Sequence, residues 1–152
     1  MKSRWTKALL LFLFALGLVS SSLGQTAPTK AKAPEVEMIS PEELKDKMTK
    51  NDPVTIIDVR SADSFANSPN VIKGSVHVKL RRLKYRLSFP PFKDVPRNQE
   101  VVTYCSCPSD EASIAAAQIL QASGFTRVRA LKGGWPQWLK IKGQVEPRAK
   151  GM

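Results

Sequence analysis

Three short runs rich in β-branched and apolar residues punctuate the chain, and a stretch with helical spacing or helix-start signals lies between each and the next. The runs are residues 54–59 (Val-Thr-Ile-Ile-Asp-Val), 101–104 (Val-Val-Thr-Tyr) and 128–131 (Val-Arg-Ala-Leu). The first is apolar nearly throughout, the pattern of a parallel strand buried on both faces. Strands alternating with helices imply an α/β sandwich, in which helices cover a mainly parallel central sheet. In such sheets ligands gather beyond the carboxyl ends of the strands. Cys105 stands at one of those ends.

The intervening segments carry start and stop signals. Ser40-Pro41-Glu42-Glu43 opens a helix, with Ser40 as N-cap, Pro41 at the first helical position and Glu43 at the capping-box position. This helix is predicted to run to about Thr49, before a turn at Asn51-Asp52-Pro53. Ser61 caps a short helix through Phe65, and residues 71–78 contain a strand around Gly74. Leu80, Leu83 and Leu87 form a helical apolar stripe. Residues 89–98, rich in proline and polar groups, read as a loop. Residues 112–121 form a helix, and Gly124 sits where a C-terminal cap belongs. Gly133-Gly134 breaks the chain before a last short helix over residues 135–141.

A net charge of +11 invites a nucleic-acid reading, but the distribution of that charge argues against it. A basic start, an apolar run from Ala8 to Val19 and small residues near Ser22 and Gly24 read as a secretory signal peptide over residues 1–24. The run is shorter than the roughly 20 residues that span a bilayer, so a membrane role is expected only if the signal stays uncleaved. Residues 25–37 are expected to be a flexible linker, 38–147 the folded domain and 148–152 a tail. Residues 1–34 hold Lys2, Arg4, Lys7, Lys30 and Lys32 and no acid, so nearly half of the excess charge belongs to targeting and linker. The chain is expected to be exported, to a bacterial periplasm or outside the cell, as a monomer with no nucleic-acid partner. Two cysteines exclude a disulfide-rich scaffold, and a single histidine argues against a histidine-based metal cluster.

The segment from Tyr104 to Glu111 joins a strand to a helix. A thiol placed there faces loop N–H groups and the positive end of the helix, and both favour the reactive thiolate. The same amides suit an anionic sulfur species, so Cys105 fits a covalent sulfur intermediate.

Four stretches stand in order: Ile56-Ile57-Asp58-Val59-Arg60, Val71-Ile72-Lys73-Gly74-Ser75, Val101-Val102-Thr103-Tyr104-Cys105, and Gly124-Phe125 followed by residues 128–131 with Lys132-Gly133-Gly134-Trp135 and Trp138. Together they resemble a known family, the single-domain rhodaneses. The resemblance covers residues 38–146 and implies a three-layer rhodanese-like sandwich. It also implies a sulfurtransferase: the cysteine takes sulfane sulfur from a thiosulfate- or persulfide-type donor and passes it to a thiol or cyanide-like acceptor. No metal or organic cofactor is implied. Strand continuity makes Cys105 the sulfur carrier. Counting back from Gly124-Phe125 makes it Cys107, and Cys105 is preferred. The substrate-binding residues so implied are Ser106, Cys107, Pro108, Ser109, Asp110 and Glu111 of the loop, with Arg60 facing the pocket.

The loop departs from the family pattern. Asp110 and Glu111 stand where many active members carry a basic or small polar residue, which should raise the thiol pKa and repel an anionic donor. Pro108 removes one amide donor. Other readings therefore remain open: a catalytically weak or inactive binding module, a buried structural cysteine, or a reducible Cys-x-Cys disulfide in a thiol redox protein. His77 is expected to be a satisfied or exposed imidazole, and Trp135 and Trp138 to hold the last helix in place. Lys79, Arg81, Arg82, Lys84 and Arg86 form a basic face, solvated or presented to an acidic protein partner, to membrane phosphate or to an anionic donor.

Overall fold

Branched side chains crowd a helical backbone and suit a pleated one, and the chain follows that preference. The computed structural model describes residues 35–149. Its strands are β1 (Glu37–Ile39), β2 (Val54–Asp58), β3 (Asn70–Ile72), β4 (Val76–His77), β5 (Glu100–Tyr104), β6 (Arg127–Leu131) and β7 (Val145–Pro147). The helices are α1 (Pro41–Thr49), α2 (Ala62–Ala66), α3 (Leu83–Arg86), α4 (Glu111–Ala122) and α5 (Gly134–Lys140). The expected signal peptide, the linker up to residue 34 and residues 150–152 lie outside the described residues.

Five strands form one sheet in the order β1-β6-β5-β2-β4, with every neighbouring pair parallel. The expected three-layer α/β sandwich is the observed one. Alternation along β5 divides the interior. Val101 and Cys105 join Ile57, Leu83, Leu87, Ala116, Ala117 and Leu120 on the face covered by α3 and α4. Val102 and Tyr104 join Ile56, Leu44, Trp135 and Trp138 on the face covered by α1 and α5. The helix signals behave as read: Ser40 Oγ accepts the Glu43 N–H at 3.1 Å, and Ser61 Oγ accepts the Ser64 N–H at 3.1 Å.

Three details differ from the sequence reading. Residues 71–78 are two strands, because Gly74 turns the backbone at φ +75°, a left-handed conformation that glycine adopts readily. Beyond that turn β4 joins the edge of the main sheet, while β3 pairs antiparallel with β7 in a separate two-stranded sheet. Both β7 and β1 are three-residue strands, too short to carry a period. Within the proline-rich loop Phe92 is 1% exposed and anchors the segment to the α3–α4 face.

Candidate active site

Cys105 is the first residue after β5, and the two-residue period of the strand sends its side chain toward α4. The start of α5 holds the loop that follows. The Trp135 N–H donates to the Cys105 carbonyl at 2.8 Å. Gly134, at φ +47°, lies so close that a Cβ there would collide with the same carbonyl oxygen. Asp110 closes the other end of the loop. Its backbone is left-handed at φ +56°, and its Oδ2 accepts the Gly133 N–H at 2.8 Å. The glycine pair noted in the sequence is therefore a seat for the cysteine loop.

The sulfur atoms of Cys105 and Cys107 are joined as a disulfide, with the Cα atoms 5.7 Å apart. Cys105 is 1% exposed, whereas Cys107 is partly exposed. The Ala112 N–H, in the first turn of α4, donates to Cys107 Sγ at 3.5 Å. Ser113 Oγ lies 3.7 Å from Cys105 Sγ and donates to the Asp110 carbonyl at 2.8 Å. Ser106 accepts a hydrogen bond from the Ser64 hydroxyl at 2.8 Å. Both cysteines, Ser106, Ser64 and Ala112 line a concavity of about 300 Å³. With the disulfide reduced, the helix start and the Ala112 N–H would favour a thiolate on Cys107.

The remaining loop residues divide. Pro108, Ser109 and Glu111 are exposed, and Asp110 is buried. The acidic pair is thus divided, with Asp110 holding the Gly133 N–H inside the protein and Glu111 turned to solvent. Lys79 and Arg81 line a second groove that shares Val59, Ser61 and Ala112 with the cysteine concavity, so part of the basic stretch lies beside the sulfur atoms.

Arg60, expected to face the pocket, turns inward instead. Its guanidinium is fully buried and grips Asp58, with Nη2 to Oδ2 at 2.7 Å and Nε to Oδ2 at 3.0 Å. The rings of Trp135, Phe65 and Tyr104 enclose it at 4.5, 5.5 and 5.6 Å. Burial alone would raise the Asp58 carboxyl, but His77 and Arg60 overcome it and hold the carboxyl below its ordinary value. His77 Nδ1 stands 3.7 Å from Asp58 Oδ1, longer than a hydrogen bond, so Arg60 is the tighter partner. The His77 ring stacks on Phe65 with centroids 3.7 Å apart. The Tyr104 hydroxyl donates to Asp58 Oδ2 at 2.8 Å, and burial together with the Asp58 charge pushes its pKa above the ordinary value. Trp138 is fully buried and Trp135 nearly so, as expected of residues that fix the last helix.

Ser113 and Ser64 were missed as neighbours of the cysteine site. Ser113 had a signal: it shares the spacing of Ala116, Ala117 and Leu120, which together form the buried face of α4. Ser64 had none, since its reach to Ser106 crosses between elements far apart in the chain.

Comparison with known proteins agrees with this architecture. The family model described as the rhodanese-like domain matches residues 40–141, two-thirds of the chain. An Anabaena sp. protein of known structure is 25% identical, with a TM-score of 0.61 over 72% of this chain and 82% of that one. The human single-domain sulfurtransferase shares the fold at 22% identity, with a TM-score of 0.58 over 70% of this chain and 97% of its own. A Rhodopseudomonas palustris protein described as a possible tyrosine phosphatase also shares the fold, at 21% identity and a TM-score of 0.60 over 73% of this chain and 85% of that one. No curated protein matches the chain by sequence. The family model spans the chain from the N-cap of α1 to the residue after α5, and the chain belongs to the rhodanese family.

Proposed function

We propose that the domain is a sulfurtransferase in which Cys105 carries sulfane sulfur from a thiosulfate- or persulfide-type donor to a thiophilic acceptor such as a thiol or cyanide. One observation carries the reading: Cys105 ends β5 within a concavity at the start of α4, inside a domain of the rhodanese family. The Cys105 thiolate would attack the donor's outer sulfur, the donor's bond to that sulfur would break with sulfite or a thiolate leaving, and the acceptor would then take the outer sulfur and return the Cys105 thiolate. Ser106, Cys107, Pro108, Ser109, Asp110 and Glu111 make up the loop around that sulfur, and Lys79 and Arg81 would attract an anionic donor to the adjoining groove. No organic cofactor enters the reaction, and we assign the domain to the periplasm or the cell exterior, reached through residues 1–24.

The test is intact-mass spectrometry of the reduced full chain after incubation with thiosulfate or a low-molecular-weight persulfide. A Cys107→Ser chain should gain one sulfur, the wild type should gain it or release it as hydrosulfide, and the Cys105→Ser variant should do neither. No sulfur uptake by the wild type or by a Cys107→Ser variant, with either donor, would end the reading. The Cys105–Cys107 disulfide favours a second reading, dithiol–disulfide exchange without sulfur transfer. That reading requires a reversible redox couple in a protein that no sulfane donor modifies.

A further inference from the structure

Two observations at the cysteine loop point past an external acceptor. The Cys107 sulfur is already bonded to the Cys105 sulfur, so the folded loop brings the two into contact without rearrangement. Their environments also differ. Cys105 is buried beside Ser113, while Cys107 is partly exposed and receives the Ala112 N–H at the start of α4. That N–H and the helix start stabilise negative charge on Cys107 in the reduced state, which suits it to be the attacking thiolate.

We propose that Cys107 is an internal acceptor that discharges the Cys105 persulfide as hydrosulfide. This rests on the sulfur-carrier reading above and deepens it. The Cys107 thiolate attacks the inner sulfur, Cys105 Sγ, of a persulfide whose outer sulfur is protonated. A bond forms between the two cysteine sulfurs, and the bond between the inner and outer sulfur of the persulfide breaks. The electron pair leaves with the outer sulfur, which departs as hydrosulfide, and the Cys107 proton has already gone to solvent. The two cysteines are oxidised together to the disulfide, and the sulfane sulfur is reduced, so this step needs no other oxidant. An external dithiol then reduces the disulfide, becomes a disulfide itself and returns both thiols. Attack from within one loop has the advantage of held geometry over attack by a free thiol in solution. The loop is held at both ends, by Trp135 on the Cys105 carbonyl and by Asp110 on Gly133.

The proposal assigns the domain a product, hydrosulfide, and a co-substrate class, a dithiol reductant. It also predicts that the persulfide is short-lived in the wild type and long-lived once Cys107 is replaced.

The experiment uses the reduced full chain, freed of reductant and given one equivalent of thiosulfate or of a low-molecular-weight persulfide. Intact mass and hydrosulfide release are followed together. Wild type should release one hydrosulfide per chain and end two hydrogens lighter, as the disulfide. Cys107→Ser should retain one added sulfur and release none until an external thiol is supplied. Cys107→Ala should behave in the same way, and the melting temperatures of both variants show that they are folded. A wild-type persulfide as long-lived as that of Cys107→Ser, or one whose sulfur moves to Cys107 without release, overturns the internal acceptor and leaves the sulfur carrier standing. Failure of wild type and both Cys107 variants to take up sulfur overturns both.

Discussion

The strands β2 and β5 lie side by side with Asp58 opposite Tyr104, so the chain leaves both at the same level of the sheet. Asp58 ends β2 and Arg60 follows just beyond it, and their charges meet each other inside the protein. Beyond β5 comes Cys105, whose loop borders a concavity open to solvent. Both strand ends are where ligands gather in a sheet of this kind. They differ in what their polar groups already hold. The Asp58 carboxylate takes hydrogen bonds from Arg60 and Tyr104 and keeps neither oxygen for a ligand. The cysteine loop is seated through its backbone and Asp110, so its seating does not depend on the sulfur atoms, which reduction of their disulfide would release for chemistry. A charged residue at the end of a parallel strand is therefore scaffold when its counter-charge lies two residues away.

The largest way to break this comparison is Asp58→Asn. It leaves the buried Arg60 guanidinium without its counter-charge, and removing one partner of a buried pair costs about 3–5 kcal/mol. Urea unfolding should show that loss, while the folded fraction still takes up sulfur on Cys105. A variant of unchanged stability that no longer accepts sulfur would make the β2 end part of the site.

Gly134→Ala comes next, on the opposite side of the comparison. A Cβ at φ +47° is strained and meets the Cys105 carbonyl, which sets a cost of about 1–3 kcal/mol. It should also slow sulfur uptake, because the displaced backbone is that of Cys105 itself. Normal uptake kinetics in a destabilised variant would separate the seat from the chemistry.

Acid provides the smallest effect and the sharpest sign. Burial would raise Asp58 and Glu100, yet both are held below the ordinary carboxylate value, Asp58 by His77 and Arg60, and Glu100 by Arg129 and Lys47. Their contribution is complete above the unfolded carboxylate range, roughly pH 4, and is lost as pH falls through the lowered values. The melting temperature should be flat on this account near neutrality and decline below that range. Asp58→Asn should lose the Asp58 part of that decline and keep the part from Glu100. An identical acid decline in wild type and variant would remove Asp58 from the account.

The path from β5 through Cys105 to α4 was legible because a buried strand and a long helix each carry a strong period, and the cysteine falls between them. The inward turn of Arg60 was not, because its direction depends on Asp58, on the rings of Trp135 and Tyr104, and on Phe65. The last three lie on other elements. The division of residues 71–78 depended on where β7 lies, and a three-residue strand far along the chain announces no partner. The cysteine pair could be read as a reducible bond, but the different surroundings of its two sulfurs came only from the placement of Ser113 and Ala112.

The groups that seat the cysteine loop follow it by more than twenty residues. A polypeptide that has been made only as far as Lys132 contains both cysteines but lacks Gly133, Gly134 and Trp135, which fix the Cys105 carbonyl and the Asp110 carboxylate. The sulfur site is thus completed only once α5 has been made, and a product truncated before α5 would contain the cysteines without the contacts that seat their loop.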